Sequence, residues 1–281
     1  MTISELIART GDRPLTQRVI AGELRMLGVQ EGMTLLVHSS LSSLGWVNGG
    51  TQAVIAALQQ VLGPTGTLMM PTHTGDLSDP ANWCNPPVPE EWWDTIRETM
   101  PAYDPAATRT FGMGALPEAF RAYPGVHRSA HPQFSFAAYG PEAERLTAGH
   151  ELPYGLGEQS PLARLYELGG YVLLIGVGHD SNTSLHLAEY RGEYSGKRTA
   201  SSGAPVINRE GKREWAVFDD VAMDSDDFVR IGAEFEAACP DLVQRGQIGL
   251  ASSLLTPQRP LVDYAAEWMK LHRQETPTKR Y

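Results

Sequence analysis

The chain has 281 residues, 42% of them hydrophobic, enough to bury a sizeable core as one large domain or two small ones. No stretch approaches the roughly 18 to 20 apolar residues of a membrane helix, no secretory signal is read at the first residues, and Cys84 and Cys239 are too few for a disulfide framework, so a reducing cytoplasm is expected. A net charge of −10 argues against nucleic acid as a partner and suits either a cationic substrate or simple solubility.

Taken in order, Thr16 to Leu27 carries Val19, Ile20, Leu24 and Leu27 at helical spacing, with Gly28 as the stop. Met33 to Val37 is an apolar run, read as a strand, that ends in His38-Ser39-Ser40. Thr51 is placed to cap a helix bearing Val54, Ile55, Leu58, Val61 and Leu62. A glycine turn then leads to a strand from Thr67 to Met70, running into Pro71-Thr72-His73. This strand, helix, strand unit implies a right-handed parallel crossover. From 72 to 110 periodicity is lost and Pro and Trp are dense. A structureless insert of that length is either a lid or binding element, or a segment whose aromatics pack it onto the body.

Leu116 to Ala122 reads as a short helix, and Phe134 to Tyr139 as a strand after the turn Arg128-Ser129-Ala130-His131-Pro132. Ser160-Pro161 is a cap followed by proline at the first helical position, and that helix runs to Leu168. Tyr171 to Val177 has the length of a strand buried on both faces; it breaks at Gly176 and Gly178 into a polar turn that opens a helix. Ala204 to Asn208 and Glu214 to Phe218 form a hairpin within 203–218, followed by helices at Phe228 to Ala238 and Leu261 to Leu271. With no internal repeat or low-complexity linker, residues 1–281 read as a single α/β domain with a β-hairpin excursion.

A strand, glycine turn and helix present side chains and helix N–H groups to a ligand at the carboxyl edge of an α/β sheet. His38, His73 and His179 fall at strand ends, His186 lies in the following helix, and His131 follows a short turn. A lone histidine is most often a structural residue, but several at the ends of one sheet point to chemistry. Zinc favours short spacings such as His-x-x-x-His on one helix, and no such helical pair is read here, so no metal is assigned. The Gly-x-Ser-x-Gly elbow is absent around Ser39, Ser40 and Ser184, which argues against that type of serine hydrolase. Direct transfer with a histidine base fits better, because a neutral imidazole accepts a proton near neutral pH once a carboxylate fixes its tautomer. For His186 the nearby carboxylates are Asp180 and Glu189, and the distant ones Asp219 and Asp220.

The chain resembles the aminoglycoside 3-N-acetyltransferases, an acetyl-CoA-dependent family unrelated in fold to the GNAT superfamily. The matching pieces are Leu36-Val37-His38-Ser39-Ser40 with Gly45, then Leu62 through Thr72, Arg128 through Pro132 with Phe134-Ser135-Phe136, Ser160-Pro161, and Leu173 through Glu189. The resemblance implies a layered α/β/α domain with a mixed, largely parallel central sheet. It implies direct acetyl transfer to the 3-amino group of a small cationic amine, an aminoglycoside, by a monomer or homodimer. His186 takes the place of the general base, with its orienting carboxylate after the hairpin at Asp219 or Asp220; the family often has Glu-x-Asp there, where this chain has Asp-Asp-Val-Ala. CoA is expected along His38, Ser39 and Ser40 and along Arg128, Ser129, His131, Phe134, Ser135 and Phe136, with Arg128 facing phosphate. Ser39, Ser40 and Ser184 are candidate oxyanion donors. His73, Asp76, Glu189, Glu193, Asp219 and Asp220 are expected around the acceptor, whose side the 72–110 insert reshapes. Two competing readings remain: an acyl-CoA N-acyltransferase of the same fold acting on a different amine, and a metal-dependent hydrolase using the histidines.

Overall fold

The most apolar runs of the chain become the centre of the sheet in the computed structural model, which describes residues 2–273. Helices α1 (Ile3–Thr10) and α2 (Gln17–Leu27) precede β1 (Thr34–Ser39), and α3 (Gly50–Leu62) leads to β2 (Thr67–Pro71). Then come α4 (Trp93–Thr99), α5 (Ala115–Arg121), β3 (His127–Arg128), β4 (Phe136–Tyr139), α6 (Ala143–Thr147) and α7 (Pro161–Glu167). β5 (Tyr171–Ile175) is followed by α8 (Ser184–Arg191) and the hairpin β6 (Thr199–Ile207) and β7 (Arg213–Val221). The chain closes with α9 (Phe228–Ala238), β8 (Gln244–Ile248), β9 (Ala251–Pro257) and α10 (Gln258–His272).

The main sheet has the order β3-β4-β2-β1-β5-β9-β8, and β6-β7 form a separate two-stranded sheet. The sheet is mixed, as expected, but parallel pairing is confined to β2-β1-β5. The flanking pairs β2-β4, β3-β4, β5-β9 and β8-β9 are antiparallel. At the β8-β9 edge the connection is only Gly249-Leu250, too short for a parallel crossover.

Alternation along the strands builds two cores. Leu35 and Val37 of β1 and Leu68 and Met70 of β2 pack with Ile20, Leu24, Val54, Leu58 and Phe120 from α2, α3 and α5. Leu36 and Met69, pointing the other way, pack with Leu162, Leu185, Phe235 and Leu261 from α7, α8, α9 and α10. Helices on both faces explain why these strands are apolar throughout rather than alternating.

Local signals hold at several ends. The Thr16 hydroxyl accepts from the Val19 N–H, Gly28 closes α2 at φ 108°, and the Ser160 hydroxyl accepts from Ala163 with Pro161 in the first turn of α7. Thr51 does not cap α3: that helix starts at Gly50, with Gly49 in the cap position at φ 87°. The 72–110 segment is not structureless. It contains α4, and the Arg97 fork binds Asp79 at 2.7 and 3.1 Å. Arg213 of β7 donates to the Met100 carbonyl at 3.1 Å, and the Tyr103 N–H donates to Pro205 of β6 at 3.0 Å, so the insert is strapped to the hairpin. No helix among the described residues is long and apolar enough to cross a membrane.

Gly140 joins β4 to α6 at φ 124°, where a Cβ would overlap the Gly66 carbonyl oxygen, whereas Gly169 (φ 64°) has open space around it. Gly140→Ala should cost about 3 kcal/mol or more in urea unfolding, and Gly169→Ala only the left-handed penalty of about 1 kcal/mol. Equal costs would contradict the close approach.

Candidate active site

The carboxyl ends of β1 and β2 and the turn after β5 converge on a cleft of about 710 Å³. One wall carries His38 and Ser39 from β1, Ser40 just after it and His73 beyond β2; Asp180 through Thr183 and His186 form the floor at the start of α8. The opposing side is apolar and comes from Leu6 of α1, the Gly112–Ala115 segment leading into α5, and Phe134.

His186 sits in the first turn of α8, and its Nδ1 lies 2.5 Å from Oε2 of Glu189, three residues on and fully buried. Residues three apart face each other on a helix, so the pairing is built into the local sequence. Phe228 packs edge-on against the imidazole, with ring centroids 4.8 Å apart. An ionised Glu189 accepts the Nδ1–H, which leaves Nε2 as the basic nitrogen available to a ligand. Oε1 of Glu189 accepts from the Asp224 backbone N–H at 2.8 Å and from Nη1 of Arg273 at 2.7 Å.

The surrounding imidazoles are held neutral. Burial, helped by neighbouring imidazoles, pushes His38 and His73 down to about 3. His131 is pushed to about 4 by burial; its Nδ1 accepts from the Gln133 and Phe134 N–H groups, so Nε2 donates to the Leu152 carbonyl. His150, also depressed by burial, donates from Nε2 to the Gly155 carbonyl and accepts from the Ser129 hydroxyl at Nδ1. His179 is buried behind the floor, pushed to about 4 by burial and by Arg245; it bonds Glu236 and Asn182 and its ring lies against Gly232. Among the described residues no group of three or more His, Cys, Asp or Glu is arranged to hold a metal ion.

Several expected assignments change. Neither aspartate orients His186. Asp220 is buried but turned to the Tyr190 hydroxyl and to the Gly155 and Val221 N–H groups, and burial raises its pKa. Asp219 is exposed on β7, and its backbone carbonyl receives the Tyr154 N–H at 3.0 Å. Asp76 and Glu193 are exposed and do not line the cleft, and Glu189 is spent on His186 and Arg273 rather than on an acceptor.

Nor does Arg128 face the cleft. Its guanidinium donates to the Thr72 and Ser135 hydroxyls and to the carbonyls of Thr72, Pro105 and Thr108, tying the returning insert to the end of β2. Ser129 bonds the Phe136 N–H and His150, Ser135 donates to the Thr72 carbonyl, and Phe136 is a core ring against His73. From the segment 128–136 only Phe134 lines the cleft. Ser184 is fully buried and does not line the cleft, its N–H donates to the Asn182 side chain and its hydroxyl accepts from Gln258, so it is not placed as an oxyanion donor. The sequence reading did not find Arg273 or Phe228, which lie far from His186 in the chain and in no local motif with it.

The sequence model of the aminoglycoside 3-N-acetyltransferase family matches residues 36–270. The aminoglycoside N(3')-acetyltransferase-like protein YokD of Bacillus subtilis is 48% identical over 91% of this chain and 92% of its own length. Its crystal structure superposes with a TM-score of 0.93 over 97% of this chain and 99% of that one. Aminoglycoside N(3)-acetyltransferase VII of Streptomyces paromomycinus is 38% identical over 96% of this chain and 98% of its own. The structure of AAC-IIIb, a binary complex with CoASH, is 34% identical with a TM-score of 0.82, over 95% of this chain and all (100%) of that one. This chain belongs to the aminoglycoside 3-N-acetyltransferase family.

Two outcomes follow from the buried side chains. Arg128→Ala strands the carbonyls of Thr72, Pro105 and Thr108 and should lower unfolding stability by about 3 kcal/mol; a loss under about 0.5 kcal/mol, the usual range for a surface substitution, would contradict its structural role. The depressed histidines favour folding in their neutral form, a contribution complete above the ordinary value near 6.5 and lost as pH falls toward about 4 for His131 and His179 and about 3 for His38 and His73. Each should cost about 2 kcal/mol between pH 6.5 and pH 5, seen as a falling urea midpoint; a midpoint unchanged over that range would contradict their burial as neutral rings.

Proposed function

We propose that the chain moves an acetyl group from acetyl-CoA to the 3-amino group of an aminoglycoside by direct attack, with His186 as the general base and Glu189 as the carboxylate that fixes its tautomer. The observation that carries this is the 2.5 Å contact between His186 Nδ1 and buried Glu189 at the floor of the cleft. The CoASH complex of AAC-IIIb and the names of the relatives support the two substrates.

The cleft has the size of a small-ligand site, and its apolar side, from Leu6, Met113 and Phe134, suits a pantetheine arm. Bound acetyl-CoA supplies the activated thioester. An ammonium acceptor cannot attack until it loses a proton, and His186 Nε2 takes that proton. The nitrogen–carbon bond then forms as the carbon–sulfur bond breaks; the proton held on His186 is returned to the departing sulfur, and the attacking nitrogen gives up a second proton to solvent to become a neutral amide. The Glu189 carboxylate offsets the imidazolium charge in between. His38 and His73 remain uncharged, and among the described residues no Lys or Arg lines the cleft, so these walls do not repel a cationic amine. With this activity the protein would act in the cytoplasm, where acetyl-CoA is available, and would confer antibiotic resistance.

One observation favours a second acceptor class of lower charge. Among the described residues Asp180 is the only carboxylate that lines the cleft, a small complement for a polycation. Thiol release from acetyl-CoA with a panel of aminoglycosides and monoamines separates the two, since turnover with monoamines alone would replace the aminoglycoside reading. His186→Ala should lower kcat by about 100-fold to 10,000-fold while calorimetry still shows CoA binding, and Glu189→Gln should follow it. Full turnover by His186→Ala would contradict the base assignment.

A further inference from the structure

We propose that Arg273, at the end of α10, is the positioning residue that keeps the base competent: it holds Glu189 ionised and seated so that His186 carries its proton on Nδ1. This rests on His186 being the base. Arg273 lies 84 residues from Glu189 in sequence, yet its Nη1 reaches Oε1 at 2.7 Å. The rest of the guanidinium is fixed: Nε and Nη2 bind both oxygens of Asp227 at 2.7 and 2.6 Å, and Nη2 also donates to the Asp224 carbonyl at 2.6 Å. The Tyr194 ring covers the guanidinium, with 5.3 Å from its central carbon to the ring centroid. The same 224–227 loop supplies the Asp224 N–H to Glu189, so Arg273 fixes both the charge and the backbone donor that seat the carboxylate.

Glu189 is fully buried and the Arg273 side chain is 12% exposed, so water does not replace this cation. A buried carboxylate without a counter-charge takes up a proton instead of remaining ionised. A protonated Glu189 no longer compels Nδ1–H, and the ring loses the preference that leaves Nε2 basic. The other groups facing the pair do not substitute for Arg273. His38 and His73 are neutral, Asp220 is turned to Tyr190, Tyr190 and Tyr194 have their hydroxyl pKa raised by burial, and Asp224 and Asp227 are acidic.

The direction on pH is therefore fixed. Removing the cation takes away the counter-charge that keeps the buried carboxylate ionised and the repulsion that opposes a positive charge on His186. Both effects move the acid limb of kcat to higher pH.

The test is the pH profile of kcat for Arg273→Gln and Arg273→Lys beside the parent and His186→Ala, with melting temperatures for each. Arg273→Gln should lower kcat at pH 7 on the order of 10-fold to 100-fold, part of what a positioned base supplies. Its acid limb should rise by about one pH unit or more. Arg273→Lys, which keeps the charge but not the fork, should restore most of the limb position even where its melting temperature stays low. A lowered melting temperature with an unmoved acid limb in both variants, while His186→Ala is inactive, would make Arg273 merely structural and overturn the proposal. Turnover retained by His186→Ala would instead overturn the base reading itself. Should Arg273→Gln fail to fold, Arg273→Met is read in its place: an acid limb moved to higher pH supports the role, and an unmoved one overturns it.

Discussion

A carboxylate taken out of water stays ionised only when donors and a counter-charge replace its hydration. Glu189 meets that requirement with an imidazole, a backbone N–H and a guanidinium drawn from three separate parts of the chain. Its seat depends on α8, on the loop between β7 and α9, and on the last turn of α10 being in register with one another. That common dependence links the C-terminal helix to the floor of a cleft whose walls come from the N-terminal half. It also explains why α10 packs on α7 and α8 through Leu261, Val262 and Ala265 rather than standing at the periphery.

The three parallel strands supply the complementary constraint. β2, β1 and β5 run side by side, so their carboxyl ends open at one edge and place His38, His73 and the 180–183 turn around His186. Burial keeps the neighbouring imidazoles neutral, so they add no positive charge to the walls of the cleft. The insert, which Arg128 and Arg213 tie down at its returning end and against the hairpin, brings the chain back to the Gly112–Ala115 wall. Arg128 thus serves the site by shaping it, without touching it.

The central strands, the main helices and the position of His186 were legible in the sequence because each rests on a local pattern. The strands are continuous apolar runs, α9 matches its helical periodicity, and Ser160-Pro161 marks the start of α7. The pairing of His186 with Glu189 was legible too, as an i, i+3 spacing on one helix, but the family pattern drew attention to Asp219 and Asp220 instead. β8 escaped notice because Gln244-Arg245-Gly246-Gln247 is a polar sheet edge with one buried residue, Ile248. Arg128 looked like a phosphate ligand because the family resemblance laid CoA along the turn that carries it, and only its hydrogen bonds reveal otherwise. Arg273 carried no local signal, since its role exists only once α10 has docked.

The competence of the base turns on the tautomer of the His186 ring, which nitrogen-15 NMR of histidine-labelled protein reads directly, with His186→Ala supplying the assignment. At a pH where His186 is neutral, the proton should sit on Nδ1, with a strongly deshielded resonance that disappears in Glu189→Gln. A neutral His186 protonated on Nε2, or a resonance indifferent to Glu189, would contradict the base assignment and the role of the buried carboxylate together.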